Sequence, residues 1–411
     1  MAPDDSGAAE VLRRAGAADA ADSLSGYRDR FVPLPDGVIY LDGNSLGRPL
    51  RHLPALLARV IEEEWGGGLI GSWDHWELLA GQVGDELGAA LLGARPGEVT
   101  VSDSTTVNLY KLAMAAIAAR PGRDVLLIDS DSFPTDRYVL DGIAERHGLQ
   151  VREVPSHLDE GFDLEAVRAS LDERVALVCL SHVGYRSAAM ADMAPINQAI
   201  HSIGALALWD LCHSVGAVPI DLTASGCDLA VGCTYKYLNA GPGAPAFLYV
   251  RREHHSRLRS PIWGWFGAAD QFEMGGAYAP RPDIGRFQAG TPPILGVVSV
   301  REGVRVLAEA GGPSALYPKG VALTDFGIEL ADRWLAPVGF RVASPRRSDR
   351  RGSHLTLEHR SARHLCALLT RAGVLTDFRT PDRIRLGMAA LTTTFTDVAR
   401  ATLRLAELAA A

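Results

Sequence analysis

The stretch Cys233-Thr-Tyr-Lys-Tyr-Leu-Asn-Ala-Gly-Pro-Gly243 joins an apolar run to a loop rich in glycine and proline. The run before it, from Asp228 to Thr234, has the length and branching of a short buried strand. Lys236 therefore stands where a buried strand is expected to end. An amine in such a place loses hydration, which lowers the pKa of a lysine and prepares it to form a Schiff base. Taken alone, the stretch also fits a surface lysine at a strand end.

A second apolar run, Ala205-Leu-Ala-Leu-Trp-Asp210, ends on a carboxylate, and His213 follows it closely. A lysine can form a Schiff base with an aldehyde cofactor, and an aspartate can pair with a pyridinium nitrogen. These two groups, each at the end of a buried strand, are the combination that pyridoxal 5'-phosphate requires. The sequence therefore indicates a site for this cofactor.

From about residue 98, apolar strands alternate with amphipathic helices, which predicts a mostly parallel sheet with helices on both faces. Ligands of such sheets collect at the carboxyl ends of the strands. Five candidate segments fall at strand ends: Asp103 to Thr106, Phe133 to Asp136, Ser181-His182, Asp210 with His213, and Tyr235 with Lys236.

We expect an α/β protein with a large and a small domain. Residues 50–300 form the large cofactor-binding domain, residues 301–411 form a smaller α/β C-terminal domain, and residues 1–49 form an N-terminal segment that packs on the small domain. Within that segment, residues 1–25 are expected to pack loosely.

The region after residue 48 contains a helix and an aromatic stretch. The apolar spacing predicts a helix from Pro49 to Trp65, and Gly66-Gly-Gly68 is expected to break it. The following stretch, which contains Trp73 and Trp76, is expected to be irregular. Its two tryptophans fit either core packing or the wall of a site for a flat ligand, and the residues leave both interpretations open.

Composition limits the classes of partner. The net charge of −8 makes nucleic acid and anionic membranes poor partners for the surface as a whole. No apolar stretch reaches about 18 residues, so no membrane span is expected. The start, Met-Ala-Pro-Asp-Asp, lacks the pattern of a secretory leader, and the five cysteines show no CxxC pairing. We therefore expect a cytoplasmic protein with reduced cysteines, and the spacing of its histidines predicts no metal site.

Elementary chemistry assigns several of these residues. Thr105 and Thr106 stand at a predicted helix start, where backbone N–H groups and the helix dipole favour a phosphate. Ordinary helix caps are the alternative. Phe133 could stack on the pyridine ring or belong to the core, and Asp136 and Ser181 could bond polar ring substituents.

The motifs around these residues resemble those of kynureninases, which are fold-type-I pyridoxal phosphate-dependent enzymes. Two blocks carry the resemblance: Trp209-Asp-Leu-Cys-His-Ser-Val-Gly-Ala-Val-Pro-Ile220 and Gly232-Cys-Thr-Tyr-Lys-Tyr-Leu-Asn-Ala-Gly-Pro-Gly243. The supporting motifs are Tyr40-Leu-Asp-Gly-Asn-Ser-Leu-Gly47, Asp103-Ser-Thr-Thr-Val-Asn-Leu109, Phe133-Pro-Thr-Asp136, Gly264-Trp-Phe-Gly267 and Gly290-Thr-Pro-Pro-Ile294. The resemblance implies hydrolysis of L-kynurenine to anthranilate and L-alanine by a homodimer, in tryptophan breakdown or NAD biosynthesis.

Carried over to this chain, the resemblance implies that Lys236 forms the Schiff base and acts as the base, and that Tyr235 assists catalysis. The implied cofactor shell comprises Thr105, Thr106, Phe133, Asp136, Ser181, Asp210, His213, Tyr235 and Lys236, together with Trp265 and Thr291 directed at the cofactor of the partner subunit. The implied substrate contacts are Arg385 at the carboxylate, Trp73 and Thr291 beside the aryl ring, and Asn44 and Ser45.

The chain departs from the family pattern on the substrate side. Ala268 and Ala191 stand where the family usually has histidine, and Ala390-Leu-Thr392 replaces Pro-Leu-Tyr. The cofactor residues are unaltered. The alternative functions are a related enzyme acting on a modified kynurenine or another β-substituted amino acid, and a cofactor-binding protein that has lost catalysis.

Overall fold

The structure is a computed structural model that describes residues 5–273 and 275–411. Of the five N-terminal residues on which the expectation of no leader rests, the first four lie outside the described part. Within the described ranges, no helix is both long and apolar enough to cross a membrane.

The strands are β1 (Ile39–Tyr40), β2 (Val99–Val101), β3 (Val125–Asp129), β4 (Gln150–Val154), β5 (Val175–Ser181), β6 (Leu206–Asp210), β7 (Leu229–Gly232), β8 (Phe247–Val250), β9 (Arg341–Val342), β10 (His354–Glu358), β11 (Val374–Leu375), β12 (Asp377–Arg379) and β13 (Arg383–Gly387). The α-helices are α1 (Asp5–Ala20), α2 (Leu53–Arg59), α3 (Trp73–Leu87), α4 (Thr105–Ala118), α5 (Pro134–His147), α6 (Leu164–Ser170), α7 (Met193–Ser202), α8 (Ile294–Glu309), α9 (Gly312–Leu330), α10 (Ala362–Arg371) and α11 (Phe395–Ala410).

Seven strands form the large sheet, in the order β2-β8-β7-β6-β5-β3-β4. The strands from β7 to β4 are parallel to one another, whereas β8 is antiparallel to both of its neighbours, β7 and β2. Every residue of β3, β5, β6 and β7 is buried. Apolar strands without polar alternation are typical of a sheet covered on both faces.

Helices cover this sheet on both sides. Leu109 of α4 and Leu140 of α5 belong to the apolar core on one face, while Val83 of α3, Ile200 of α7 and Val304 of α8 belong to the core on the other. The expected mostly parallel α/β sheet between two helical layers is therefore confirmed.

The second sheet lies in the C-terminal part of the chain, in the order β12-β13-β10-β9 with all neighbours antiparallel. Helices α9, α10 and α11 share one apolar core with it. The N-terminal segment enters this core, because α1 packs against α11 and β1 pairs with β11. Val11 and Ala15 of α1 are fully buried there. For residues 5–25 the expectation of loose packing is therefore wrong, and residues 1–4 lie outside the described part.

The region from residue 53 to residue 87 also differs from expectation. Helix α2 continues as a π-helix over Val60–Gly68 and a 3-10 turn over Leu69–Ser72 into α3, so Gly66-Gly-Gly68 does not end the helical path. Tertiary contacts hold this path, since the Ser72 hydroxyl donates to the carbonyl of Glu64 at 2.6 Å and the indole of Trp76 donates to the Glu64 carboxylate at 2.8 Å. The stretch expected to be irregular is thus largely helical. Helix α8 also runs across residue 300, where a domain boundary was expected.

Candidate active site

The carboxyl ends of β2, β3, β5, β6 and β7 lie along one edge of the large sheet, because these strands run in the same direction. All five predicted segments follow these ends. Ser181 and Asp210 are direct partners in the register of β5 and β6, and Asp210 is in turn opposite Val231 of β7. The topology therefore brings together the segments that the sequence singled out.

Lys236 lies in the turn after β7, which ends four residues earlier at Gly232. Its Nζ is 3.3 Å from Nε2 of His213. The same amine lies 5.9 Å from the ring centroid of Phe133 and 6.0 Å from that of Tyr235. The amine thus stands between two aromatic rings and a histidine, at the expected edge of the sheet.

The other lysines of the chain are already engaged. There are three lysines in all. Lys111 is fully buried and donates to the Asp103 carboxylate at 2.7 Å, and Lys319 pairs with Asp22 at 2.5 Å. Lys236 is therefore the lysine that remains available to form a covalent bond.

Two buried carboxylates lie beside the amine. The Asp210 side chain accepts a hydrogen bond from the backbone N–H of Cys212 at 2.7 Å, which fixes its direction at the end of β6. Asp136, in the first turn of α5, is 2 % exposed, and its Oδ2 has no hydrogen-bond partner among the described residues. Burial, with the nearby charges of Asp210 and Asp129, raises the pKa of Asp136 well above its ordinary value. Such an unpaired buried oxygen is suited to a polar ligand group.

A cavity of about 390 Å³ opens at the N-terminus of α4. Ser104 caps this helix by accepting from the N–H of Val107, and Ser104, Thr105, Tyr235 and Thr291 line the cavity. Thr106 lies in the same helical turn but does not line it. Burial raises the pKa of Tyr235, so its hydroxyl stays protonated and can donate a hydrogen bond. These groups suit a phosphate.

The small sheet contributes a second polar cluster. The ring of His354 in β10 lies 5.7 Å from that of His213, and both nitrogens of His354 lack a partner among the described residues. Burial and the charge of Lys236 hold the pKa of His213 well below its usual range, so this ring is neutral. Arg385 of β13 is 1 % exposed and donates to the carbonyl of Tyr185 at 2.5 Å.

The loop of residues 42–47 connects these two clusters. The N–H of Gly47 donates to the carbonyl of Tyr235 at 2.8 Å, and Ser45 Oγ accepts from Arg385 at 2.9 Å. Asn44 is fully buried and packs against Gly387. A β-carbon added to Gly387 would lie only 1.8 Å from Oδ1 of Asn44. Both side-chain polar atoms of Asn44 lack partners among the described residues. Asn44, Ser45 and Arg385 therefore lie together.

Trp73 and Trp265 belong to an aromatic group around Phe266. Trp73 is 6.1 Å from Phe266, which in turn stacks edge-on with Trp265 at 4.7 Å. Trp73 lines an apolar cavity of about 570 Å³, which shares Pro293 with the cavity at α4. Trp76 lines the same cavity, although it is only 8 % exposed, so both tryptophans have a cavity beside them as the ligand-wall interpretation requires.

Comparisons with known proteins identify the family. Residues 316–405 match the model of the "Kynureninase C-terminal domain". The chain is 43% identical to a kynureninase of Pseudomonas fluorescens, over 93% of this chain and 91% of that protein, and 41% identical to one of Deinococcus radiodurans, over 95% and 94%. The chain belongs to the kynureninase family.

Two solved structures have the same fold as this chain, although they are less than 20% identical to it in sequence. A C-DES mutant with glycine covalently linked to its pyridoxal phosphate cofactor matches with a TM-score of 0.82 at 17% identity, over 92% of this chain and 99% of that one. The cysteine desulfurase CsdA of Escherichia coli matches with a TM-score of 0.81 at 16% identity, over 94% and 98%. The expected fold-type-I architecture is confirmed, and the membership makes the chain an enzyme.

The three departures from the kynureninase pattern lie outside the cavity at α4. Ala268 forms a β-bridge with Pro280, Ala191 is buried beside His182, and Thr392 donates its N–H to the carbonyl of Ala389 at 3.0 Å. None of these three residues lines the cavity that Tyr235 and Thr105 line.

The structure also places residues in the site that sequence reasoning missed. His354 and Asp377 both reach the site from the small sheet. Asp377 lies in the β12–β13 hairpin, whose pairing places it opposite Arg385. Charged residues at every second position, Asp377 with Arg379 and Arg383 with Arg385, could have indicated two paired strands with their charges on one face. His354 carries no such signal, since only the packing of the two sheets brings it to His213.

Proposed function

We propose that this chain hydrolyses L-kynurenine to anthranilate and L-alanine with pyridoxal 5'-phosphate as cofactor. The observation that carries the proposal is the convergence of Lys236, Asp210 and the N-terminus of α4 on one sheet edge. The chain supplies this arrangement while being 43% identical to a kynureninase.

The residues present fit the cofactor. The cavity at the start of α4 offers the helix dipole, Thr105 and the Tyr235 hydroxyl to a phosphate. Asp210, fixed by the N–H of Cys212, would face the ring nitrogen, and the unpaired Oδ2 of Asp136 would receive a polar ring substituent. Phe133 would cover the ring, and Lys236 would hold the cofactor covalently.

The positions of several further residues suit contacts with the cofactor. Ser181 and His213, at the ends of β5 and β6, would complete it, and Thr106 would add a backbone N–H from the first turn of α4. Thr291 lines the cavity. Trp265 is 44% exposed, which suits a side chain that reaches a partner subunit.

The chain's own groups account for proton movement. When bound, pyridoxal phosphate supplies an electron sink for negative charge at the substrate Cα. The Lys236 amine would remove the Cα proton, and the neutral His213 ring, 3.3 Å away, would accept a hydrogen bond that orients this amine. The carboxylate of Asp210 would pair with the ring nitrogen of the bound cofactor. Once water has added to the γ-carbonyl and the Cβ–Cγ bond has broken to release anthranilate, the Tyr235 hydroxyl would return a proton to Cβ of the alanine product.

The substrate would extend between the two clusters. Arg385, Ser45 and Asn44 would receive its carboxylate, because they lie together on the side of the small sheet. Trp73, beside the apolar cavity, would contact the aryl ring.

We further propose a cytoplasmic homodimer, active in tryptophan breakdown or NAD biosynthesis. All five cysteines are buried and free, which suits a reducing compartment. Trp65, Leu69 and Ile70 form an exposed apolar surface, being 60%, 62% and 82% exposed, and such a patch is typical of an interface. We propose a division into a large and a small domain near Gly311, because α8 belongs to the core of the large sheet.

The test is release of anthranilate from L-kynurenine by purified protein supplied with pyridoxal phosphate, followed by fluorescence. We expect turnover, with visible absorbance that Lys236→Ala abolishes. Lys319→Ala, at the ion pair with Asp22, is the matched control and should retain both signals. If anthranilate is absent while 3-hydroxykynurenine or another β-substituted amino acid is consumed, the substrate assignment fails.

A further inference from the structure

Arg385 is held tightly from one side. Its Nε donates to Oδ1 of Asp377 at 2.7 Å, and its Nη2 donates to the other oxygen of the same carboxylate. Nη2 also donates to Ser45 Oγ at 2.9 Å, and Nη1 donates to the carbonyl of Tyr185. These bonds engage four of the five guanidinium N–H groups, and within the described ranges the fifth, on Nη1, has no partner.

Asp377 is shared by further donors. Arg379 reaches Oδ2 of Asp377 at 2.7 Å, and the Ser45 hydroxyl donates to the same oxygen at 2.9 Å. Burial alone would raise the pKa of Asp377, but the hydrogen bonds and charge of Arg385 bring it below its ordinary value. Asp377 is therefore ionised at neutral pH.

The two arginines differ in access. The side chain of Arg385 is 1% exposed, whereas that of Arg379 is 33% exposed, and the Nε of Arg379 lacks a partner among the described residues. Arg379 thus forms the outer side of the cluster, Arg385 the inner side, and Asp377 lies between them.

The charges leave room for one more anion. Arg385 and Arg379 contribute two positive charges, and Asp377 contributes one negative charge. Burial and the charge of Asp377 raise the pKa of the neighbouring Asp42 to about 6. Among the three directly paired groups, Arg385, Arg379 and Asp377, one positive charge is unbalanced, which suits a single carboxylate.

We propose that Asp377 is a positioning residue that aims the Nη1 edge of Arg385 at the substrate carboxylate and keeps Arg379 beside it as a second cation. This inference rests on the proposed function, in which Arg385 receives that carboxylate. The rigid bidentate hold orients the guanidinium before the substrate arrives, which reduces the ordering cost of binding.

The experiment compares two probes of the holoenzyme, L-alanine and L-alaninamide, by titrating its visible absorbance. The ratio of the dissociation constant of L-alaninamide to that of L-alanine measures recognition of the carboxylate alone, and it falls when L-alanine binds more weakly. In Asp377→Asn we expect L-alanine to bind at least about tenfold more weakly, with the amide changed less than about threefold, because a charge-assisted pair is lost at the carboxylate end only. With L-kynurenine, KM should rise more than kcat falls.

Asp382→Asn is the matched control. Asp382 lies in the same hairpin and pairs with Arg383 at 2.9 Å, but Arg383 binds Asp159 and Glu358, away from Arg385. The ratio of dissociation constants in Asp382→Asn should stay within about twofold of wild type, because this variant affects Arg383 and not Arg385. Asp377→Glu keeps the negative charge but moves it by one methylene, so it should lower the ratio by about threefold. This variant serves as the test if Asp377→Asn does not fold.

The outcomes separate the two proposals. An unchanged ratio in folded Asp377→Asn or Asp377→Glu overturns the positioning role. Arg385→Lys tests the proposed function itself. If Arg385→Lys leaves L-alanine binding unaltered, the assignment of the carboxylate to Arg385 fails, whatever Asp377 does. A ratio that falls in Arg385→Lys and in both Asp377 variants, but not in Asp382→Asn, supports both.

Discussion

Replacing Gly47 with alanine perturbs the contact between the loop of residues 42–47 and the turn that carries Lys236. A β-carbon at residue 47 would lie 2.2 Å from the carbonyl oxygen of Lys236 and 2.7 Å from the Cα of Asn239. Favourable non-bonded contacts of carbon lie at about 3.5–4.0 Å. Both obstacles are backbone atoms, so no side-chain rotation relieves the clash, and the loop has to move by roughly 1 Å.

Moving the loop lowers the free energy of unfolding in two ways. Overpacking of a rigid site costs about 1–3 kcal/mol. The displaced loop also loses the 2.8 Å hydrogen bond from the Gly47 N–H to the carbonyl of Tyr235, which contributes about 1 kcal/mol. We therefore expect Gly47→Ala to lower the free energy of unfolding by about 2–4 kcal/mol. Because the same loop carries Ser45, binding of a carboxylate probe should weaken as well.

Urea unfolding of the holoenzyme measures the first effect, and titration with L-alanine measures the second. Gly26→Ala is the matched control, since a β-carbon there meets no atom within 4 Å, and its stability should stay within about 0.5 kcal/mol of wild type. A Gly47→Ala protein that unfolds at the wild-type urea concentration and binds L-alanine normally would refute the reasoning.

Two further predictions concern stability away from the site. Burial would raise the pKa of Asp228, but hydrogen bonds with His201 and His254 lower it to about 2. A depressed pKa means that this carboxylate stabilises the fold by about 2 kcal/mol above about pH 4, and that the contribution disappears toward pH 2. The deficit of Asp228→Asn should therefore shrink between about pH 6 and about pH 3 in urea titrations, and a constant deficit would contradict this. Leu208→Ala in β6, where the side chain is fully buried, should cost about 3 kcal/mol. Leu78→Ala, at a position 53% exposed, should cost less than about 0.5 kcal/mol, and equal losses would contradict the packing argument.

Local patterns predicted the large sheet well. Each of its central strands is a short run of buried aliphatic residues, and in a parallel sheet the chain direction places every carboxyl end on one edge. That rule was enough to bring Ser181, Asp210 and the turn of Lys236 together. The chemical types at those ends then indicated the cofactor before any distance was known.

The small sheet and the N-terminal segment were harder to predict. Nothing local in α1 shows that Val11 and Ala15 become fully buried, since their partner helix α11 lies at the other end of the sequence. The helical path through Gly66-Gly-Gly68 depends on Ser72 and Trp76 holding Glu64, and this contact overrides the weak helix propensity of glycine. His354 likewise acquires its neighbours only through packing.

The pairing of α1 with α11 also sets an order of events during synthesis. The ribosome makes α1 before the large sheet, whereas α11, the helix against which it packs, follows both sheets in the sequence. At about 5–20 residues per second, the apolar side of α1 waits tens of seconds for its partner. The large sheet can assemble during that time, whereas β13 and the carboxylate-binding cluster are completed only at the end. A growing chain would therefore form the sheet edge that carries Asp210 and Lys236 before it forms the cluster around Arg385 that would bind the carboxylate of an amino acid.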